Sequence, residues 1–468
     1  MKKNTLIKTI LCLALAPQFT HCAVSCKVAV LGTGYVGSVL GACLASFNHT
    51  VICADTNKEI IAKLKRGEMP IYEQGLPEII AEATKKKHLT FSDDPASAIR
   101  ASDIVFIAVG TPMSDEGNAD LRAVESVART IGQNLNGYKV ICTKSTVPIG
   151  TGAWIKKLIT EHSNGACDFD VISNPEFLRE GSSIYDFLNP DRIIIGAESE
   201  RPYQALCDLY YPFKAKNVPF VLTNRESAET IKYASNTFLA TKVSFINEIA
   251  NLCEKVGADI LEVVKGIGLD TRIGSRFLIP GPGYGGSCFP KDVEALLFKG
   301  SQVAVDLKIA QAAKESNKHH KLKIFDKVSR LLNDDFTSKK IAVLGLTFKA
   351  NTDDIRESIA LDLLEKFIQK GAVVSAYDPE GMANMKKSFP QVSYTTTAYD
   401  ALKNADAALI LTEWEEFKSL DLAQVKSLLR QPVLLDARNI LNTKRLKELE
   451  FTFDNIGNAT VLETTPNL

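Results

Sequence analysis

Short apolar runs alternate along this chain with longer stretches whose apolar residues recur every three or four positions. The two periods separate buried strands from amphipathic helices. Cys26 to Leu31 (CKVAVL), Thr50 to Ala54, Ile104 to Val109 (IVFIAV), Val140 to Thr143 and Val171 to Ser173 read as strands, with helices expected over Ser38 to Phe47 and Leu121 to Leu135. Such alternation predicts a parallel sheet covered by helices on both faces. The pattern changes at Arg225 to Lys255, a proline-free stretch at helical spacing, and Ser301 to Leu332 reads as a second long connector. Alternation returns at Lys339 to Leu344 (KKIAVL), followed by a helix over Ser358 to Lys370 and strands at Ala372 to Tyr377, Ala407 to Leu411 and Val433 to Leu435. The expected fold class is α/β: two doubly wound domains, 24–212 and 334–468, joined by a helical middle at 213–333.

Composition adds exclusions rather than an assignment. A chain of 468 residues with 45% hydrophobic and 24% charged residues is ordinary globular material for two or three domains. Its formal net charge of +0 leaves no broad attraction for nucleic acid or an anionic membrane surface, so any anion must be met locally. The 10 cysteines are scattered without a CxxC pair, which suits a reducing compartment.

The turns after the strands carry the candidate chemistry. The first strand runs into Gly32, Thr33, Gly34, Tyr35, Val36 and Gly37, a G-x-G-x-x-G between a strand and an apolar helix. In that context Gly32 makes the tight turn, Gly34 lets the backbone approach a pyrophosphate, and Gly37 lets helix and strand pack closely. Asp55 ends the second strand about 20 residues further on, where a carboxylate can bind the adenosine ribose, and an acid there favours NAD over NADP. Both end domains are therefore expected to be Rossmann-like, the second without the glycine fingerprint: Gly345 is followed by Leu346, Thr347, Phe348 and Lys349. Gly110, Thr111 and Pro112, and Lys144, Ser145 and Thr146, fall at strand ends facing the cofactor.

Further on, NPEFLREG at Asn174 to Gly181 carries Glu176, Arg179 and Glu180, while Lys232 and Asn236 share one face of the long helix. Lys349 and Arg356 are the natural anion contacts of the last domain. The stretch FLIPGPGYGGSCFPKD, Phe277 to Asp292, packs glycines and prolines ahead of Cys288, Lys291 and Asp292. Two readings of Cys288 are open at this point: a thiol activated by a helix N-terminus and a nearby cation, or a small buried residue in a turn.

Taken together, AVLGTGYVG, VGTP, KSTVPIGT, NPEFLREG, the Lys232/Asn236 helix and GPGYGGSCFPKD resemble the UDP-glucose/GDP-mannose dehydrogenase family from about Cys26 to near the C-terminus. The resemblance implies an NAD domain, a helical middle that forms a homodimer, and a nucleotide-sugar domain. It also implies oxidation of a sugar's primary alcohol to a carboxylate with two NAD. Cys288 would form a thiohemiacetal and then a thioester, with Lys232 stabilising oxyanions. Asp292 would move protons with Lys232 and Thr146 through water, Glu176 would assist hydrolysis and Asn236 would hold the reacting sugar region. Gly32 to Gly37, Asp55, Thr111, Thr146, Glu180 and Arg356 would contact NAD. Glu176, Phe177, Leu178, Arg179, Glu180, Lys232, Asn236, Phe277, Gly281, Tyr284, Gly285 and Lys349 would hold the nucleotide sugar, with Arg272 reaching it from the partner subunit. The loop reads YGGSCFPKD, which within the family points to UDP-glucose, with GDP-mannose as the alternative substrate and a non-catalytic sensor as the alternative role. One departure is Ile60, where relatives carry Lys or Arg, leaving Lys58 as the cation near Asp55.

Lys2, Lys3 and Lys8 ahead of TILCLALA (Thr9 to Ala16) give residues 1–23 the shape of an export signal, too short to span a bilayer. The expected site for NAD and nucleotide-sugar chemistry is nevertheless the cytosol, which favours a misplaced start with Val24 as the true one.

Overall fold

The computed structural model describes residues 25–458 apart from 115, 164 and 166. The expected extension at 1–23 and the alternative start at Val24 lie outside the described residues. Two sheets organise the chain. The first contains β1 (Lys27–Leu31), β2 (Thr50–Ala54), β3 (Leu89–Ser92), β4 (Ile104–Ile107), β5 (Lys139–Thr143), β6 (Phe169–Ser173), β7 (Ile193–Gly196) and β8 (Phe220–Thr223), in the order β3-β2-β1-β4-β5-β6-β7-β8. Valine and isoleucine fill β1, β4 and β5 because helices cover both faces of the sheet, and of these central strands only Lys27, at the start of β1, meets water. The order reverses beside β1, whose neighbours are β2 and β4, and the crevice at that switch is where such sheets take ligands.

The sheet departs from the all-parallel expectation at one seam, where β6 and β7 meet antiparallel through Ser173 and Gly196. The connection from Asn174 to Arg192 stays at the carboxyl end of the sheet instead of crossing over it. The chain therefore re-enters in the opposite direction, and NPEFLREG remains above the strand ends.

Helix Arg225–Val256 is 32 residues long, capped by the Asn224 side chain on the Ser227 N–H and ended by Gly257 at φ 75°. It packs against helices Phe289–Gln302 and Lys308–Leu331. The expected continuous connector from Ser301 is thus corrected to a break at 303–307. Val305 folds back so closely that a Cβ on Gly300 would lie 2.8 Å from its carbonyl oxygen.

The second sheet holds β9 (Lys340–Leu344), β10 (Val373–Tyr377), β11 (Ser393–Tyr394), β12 (Ala407–Ile410), β13 (Val433–Asp436) and β14 (Thr452–Asn455), ordered β11-β10-β9-β12-β13-β14 and parallel throughout. Its acid at the end of β10 is spent internally. Asp378 is fully buried and accepts the Leu346, Glu380 and Gly381 N–H groups and the Trp414 indole N–H. No lone pair of Asp378 is left facing a ribose, so the loss of the glycine fingerprint and the sequestered acid agree. Ile246, Ala250, Ile324 and Val328 of the middle helices share one core with Ile341, Val343 and Leu363, so the helical middle and the last domain are packed as one apolar body. Among the described residues no helix is long and apolar enough to cross a membrane.

Candidate active site

Above β6 the chain is held by one buried amide. Asn174 Oδ1 accepts from Lys144 Nζ (3.0 Å) and the Tyr210 hydroxyl (2.8 Å), and its Nδ2 donates to the Ile194 carbonyl (2.7 Å). This fixes the turn so that Glu176 faces the long helix. Glu176 Oε2 accepts the Leu178 N–H (2.5 Å), and Oε1 accepts from Lys232 Nζ at 3.0 Å. One turn along the helix, Asn236 Nδ2 donates to Asp292 Oδ2 (2.6 Å), whose other oxygen is paired with Lys291. The i, i+4 spacing therefore lets one helix face grip two carboxylates, Glu176 from a loop and Asp292 from the first turn of helix Phe289–Gln302. All four side chains, Glu176, Lys232, Asn236 and Asp292, are 6% exposed or less.

Cys288 is the N-cap residue of helix Phe289–Gln302, and its carbonyl accepts the Asp292 N–H (2.9 Å). It is only partly buried, whereas Cys43, Cys53, Cys142, Cys207 and Cys253 are core thiols. Burial, then the charge of Glu176, pushes the Cys288 thiol up, with the Lys232 ammonium opposing. Burial also acts against the charged forms of Glu176 and Lys232. Their mutual attraction outweighs it, so Glu176 sits below and Lys232 above its ordinary value.

The main chain of the glycine-rich loop is clamped from the middle helices. Gly281 N–H donates to Asn247 Oδ1 (3.0 Å), and the Gly281 carbonyl accepts from His320 Nε2 (2.7 Å). Tyr284 gives its N–H to Asn317 Oδ1 (2.9 Å) and accepts Asn317 Nδ2 (3.1 Å). Burial drives His320 down to about 4, so its ring is neutral and Nε2 carries the proton. The Tyr284 ring packs with Ala240 and Val293. Phe277 holds φ 63°, with its ring 6.0 Å from Phe289. A Cβ on Gly285 would lie 2.3 Å from the Glu357 carbonyl, so the loop also abuts the last domain directly.

The first domain's cradle fits a dinucleotide. Gly32 has φ 103°, and a Cβ on Gly37 would fall 1.9 Å from the Gly32 carbonyl, so neither tolerates a side chain. Gly34 instead faces open space, and it starts helix Tyr35–Ser46 without a side-chain cap, which leaves the first N–H groups available to a phosphate. Asp55 Oδ2 accepts from the Thr33 N–H (2.9 Å) and hydroxyl (3.0 Å), holding the turn beside the ribose position. Val36 packs into the core, the Tyr35 hydroxyl donates to Asp353 of the last domain, and Thr111 Oγ1 donates to the Thr146 carbonyl (2.8 Å). Ile60 packs on the core and Lys58 is exposed.

On the sugar side, the Phe177 ring lies under the Arg192 guanidinium (3.6 Å to its centroid), and Lys232 Nζ stands 5.3 Å from it. Leu178 packs on the first core, and Arg179 pairs with Asp186 at 2.5 Å. Lys349 and Glu180 line a cleft of about 280 Å³ between the first and last domains, together with Ser182, Asn351 and Lys418. Arg356 pairs with Asp354 (2.7 Å) and Glu180 (3.5 Å). Arg272 is not brought to this group: it is paired with Asp270 and 88% exposed. Thr146 shares no hydrogen bond with Lys232 or Asp292. The residues not anticipated are Ser287, the clamp of Asn247, Asn317 and His320, and Arg438, whose guanidinium donates to the Phe348 and Leu411 carbonyls next to Lys349. A buried Asn or His reads like a surface one until the covering element is known.

A dinucleotide cradle in the same chain as a thiol beside a buried lysine and two carboxylates has the make-up of a dehydrogenase that also performs covalent chemistry. The chain matches the UDP-glucose/GDP-mannose dehydrogenase family in three parts: its NAD binding domain over residues 26–214, its central domain over 226–319 and its UDP binding domain over 342–443. It is 47% identical over 442 residues to the UDP-glucose 6-dehydrogenase TuaD of Bacillus subtilis, covering 94% of this chain and 95% of that one. It is 46% identical over 434 residues to a UDP-glucose 6-dehydrogenase of Rhizobium meliloti, covering 92% and 99%. Among solved structures, a UDP-glucose dehydrogenase from the archaeon Pyrobaculum islandicum superposes with a TM-score of 0.87 at 35% identity, covering 94% and 99%. The protein belongs to the UDP-glucose/GDP-mannose dehydrogenase family.

Proposed function

We propose that the protein oxidises UDP-glucose to UDP-glucuronate, using two NAD and one water. The observation that carries this reading is the position of Cys288 beside the Lys232–Glu176 pair and the Asn236–Asp292 pair. Gly32 to Gly37, Asp55, Thr111, Thr146, Glu180 and Arg356 would hold NAD, which would supply the hydride acceptor for each oxidation. The first oxidation leaves an aldehyde, which has no second hydride to give until a nucleophile adds to it. Cys288 adds as thiolate, Lys232 holds the resulting oxyanion, and Asn236 orients the sugar. Oxidation of that thiohemiacetal gives a thioester, which water cleaves with Glu176 as the assisting carboxylate and Asp292 as the proton carrier. Phe177 to Glu180, Phe277 to Gly285 and Lys349 hold the nucleotide and sugar. The working domain boundaries are 24–212, 213–333 and 334–468, and the cytosol is the compartment that supplies both substrates.

The deciding experiment counts NADH per limiting UDP-glucose. Two NADH with a uronate product are expected. One NADH with an aldehyde would sink the four-electron route, and turnover of GDP-mannose in place of UDP-glucose would move the substrate within the family. No NADH with either would leave the sensor reading.

The working form proposed is a homodimer built on the long helix. Phe238, Phe245, Leu252 and Val256 follow one another at intervals of seven, seven and four, on one helix face, and each is at least 49% exposed. Large side chains left bare along one stripe are what a second copy would cover. Arg272, exposed and paired only with Asp270, would then reach the nucleotide sugar of the other subunit. Phe238→Asp with Phe245→Asp is expected to halve the mass seen by light scattering, and an unchanged mass would place the interface elsewhere.

A further inference from the structure

If Cys288 acts as the nucleophile, its proton must leave before sulfur attacks, and the site offers three carboxylates. Glu176 is committed to Lys232 and the Leu178 N–H, and lies below its ordinary value. Asp292 is committed to Asn236 and Lys291. Glu180 is the third, and it reaches the sulfur through one hydroxyl. Ser287 Oγ donates to Glu180 Oε1 at 2.9 Å and stands 3.6 Å from Cys288 Sγ. A serine has a single hydroxyl proton. With that proton given to Glu180, the contact to sulfur can only run from S–H to Oγ, so both hydrogen bonds point from the thiol towards the carboxylate.

We propose that Ser287 is a further catalytic residue, relaying the Cys288 thiol proton to Glu180. In the step the S–H bond breaks, the proton joins Ser287 Oγ as the serine's own proton passes to Glu180 Oε1, and no electrons are exchanged. The products are a thiolate and a neutral carboxyl. The negative charge moves from Glu180, beside Asp354, to a sulfur facing the Lys232 ammonium. The surroundings of the acceptor suit this. Burial, then the charge of Asp354, raises Glu180 to about 7, against the pull of Ser287 and Arg356. Tyr35 and Lys349 complete its charged and titratable neighbours. Those of the sulfur are Glu176, Lys232, Asp292, Lys291 and Arg356. An acceptor near neutrality is matched to the pH at which it must work. Glu180 also touches Thr352 (3.4 Å) and Arg356 (3.5 Å) of the last domain, so the relay is assembled from all three parts of the chain.

The test is the rate at which iodoacetamide alkylates Cys288 in the full chain without substrate, located by mass spectrometry and followed across the neutral pH range. The wild-type rate is expected to rise through a pH near about 7, as Glu180 ionises. Ser287→Ala should slow it about tenfold or more at neutral pH and move the rise upward, and Ser287→Thr, which keeps the hydroxyl, should restore it. Glu180→Gln gives the sharper sign. Removing a nearby negative charge would by itself favour the thiolate and speed alkylation, whereas loss of the acceptor slows it. A Glu180→Gln rate at or above wild type overturns the relay, as does a Ser287→Ala profile that matches wild type. If either alanine or glutamine variant fails to fold by circular dichroism, the other decides. A wild-type Cys288 that is never alkylated would instead overturn the nucleophile itself.

Discussion

A Cys288→Ala enzyme is expected to form no UDP-glucuronate, with turnover lower by roughly 10³-fold or more. The first hydride removal needs only the alcohol, a base and bound NAD. The second needs a tetrahedral carbon bearing both hydrogen and oxygen, which on the proposed route Cys288 creates. Its loss removes the adduct and leaves Lys232, Asn236 and Asp292 where they are, because Asp292 is held by its own helix start and by Asn236 at 2.6 Å. The thermal midpoint should therefore stay close to wild type while the product disappears. The check is a single-turnover experiment with enzyme in excess, analysed for aldehyde and uronate by mass. Two NADH per sugar from the alanine enzyme would eliminate the covalent route, since water would then be forming the hydrate unaided.

Lys232→Met should damage both stability and chemistry. Glu176 and Lys232 are 6% and 3% exposed, and removing one partner strands the other's charge out of water, a change worth about 3–5 kcal/mol. In the wild type the Glu176 carboxyl lies below its ordinary value, so the pair's stabilisation is present at neutral pH and is lost as pH falls through that depressed pKa. In the methionine variant burial remains and the attraction is gone, so the carboxyl moves above its ordinary value. The sign then reverses: stability falls as pH rises through the new pKa, and the variant is expected to melt higher in mild acid than at neutral pH. Turnover should fall by roughly 10²–10³-fold, the cost of one oxyanion donor. Adding Glu176→Gln should return most of the stability and none of the turnover. A single variant that melts like wild type at neutral pH would show that the pair contributes little, and full turnover would take Lys232 out of the mechanism.

The elements that could be read in advance are those whose burial leaves a period in the chain. CKVAVL and IVFIAV are strands between covering helices, and Arg225–Val256 kept its spacing over 32 residues. The short edge strands β3, β8 and β11 left no such trace, since sheet edges are half wet and admit polar residues, whereas β7, buried throughout, is only four residues long and too short to show a period. The antiparallel seam between β6 and β7 was equally silent, because strand direction depends on where a connection travels and not on what the strand contains. The break at 303–307 was hidden because the stretch looks helical throughout, although the Val305 N–H turns back to the Gly300 carbonyl and ends the helix there.

At the site, the kind of residue was legible and its partner was not. The order glycine, serine, cysteine, proline, lysine and aspartate in one loop already named a thiol at a helix start, and the strand-bounded G-x-G-x-x-G already named a dinucleotide cradle. Those motifs are local: a tight turn or an exposed helix N-terminus is determined by a few neighbouring side chains. Pairing across the chain is different. That Lys232 takes Glu176 and Asn236 takes Asp292, that Asn317 and His320 clamp the loop, and that Ser287 stands between Cys288 and Glu180 required the fold. Each joins positions tens to more than a hundred residues apart, and hydrogen bonds at 2.6–3.0 Å depend on where rigid helices and sheets place their ends. By itself the sequence determined the α/β class, the cradle and the place of a thiol at a helix start, because these follow from short-range sterics and periodicity. Only the tertiary structure decided which carboxylates are neutralised and which one is left to receive a proton, because burial and charge are shared among segments that meet nowhere but in the folded chain.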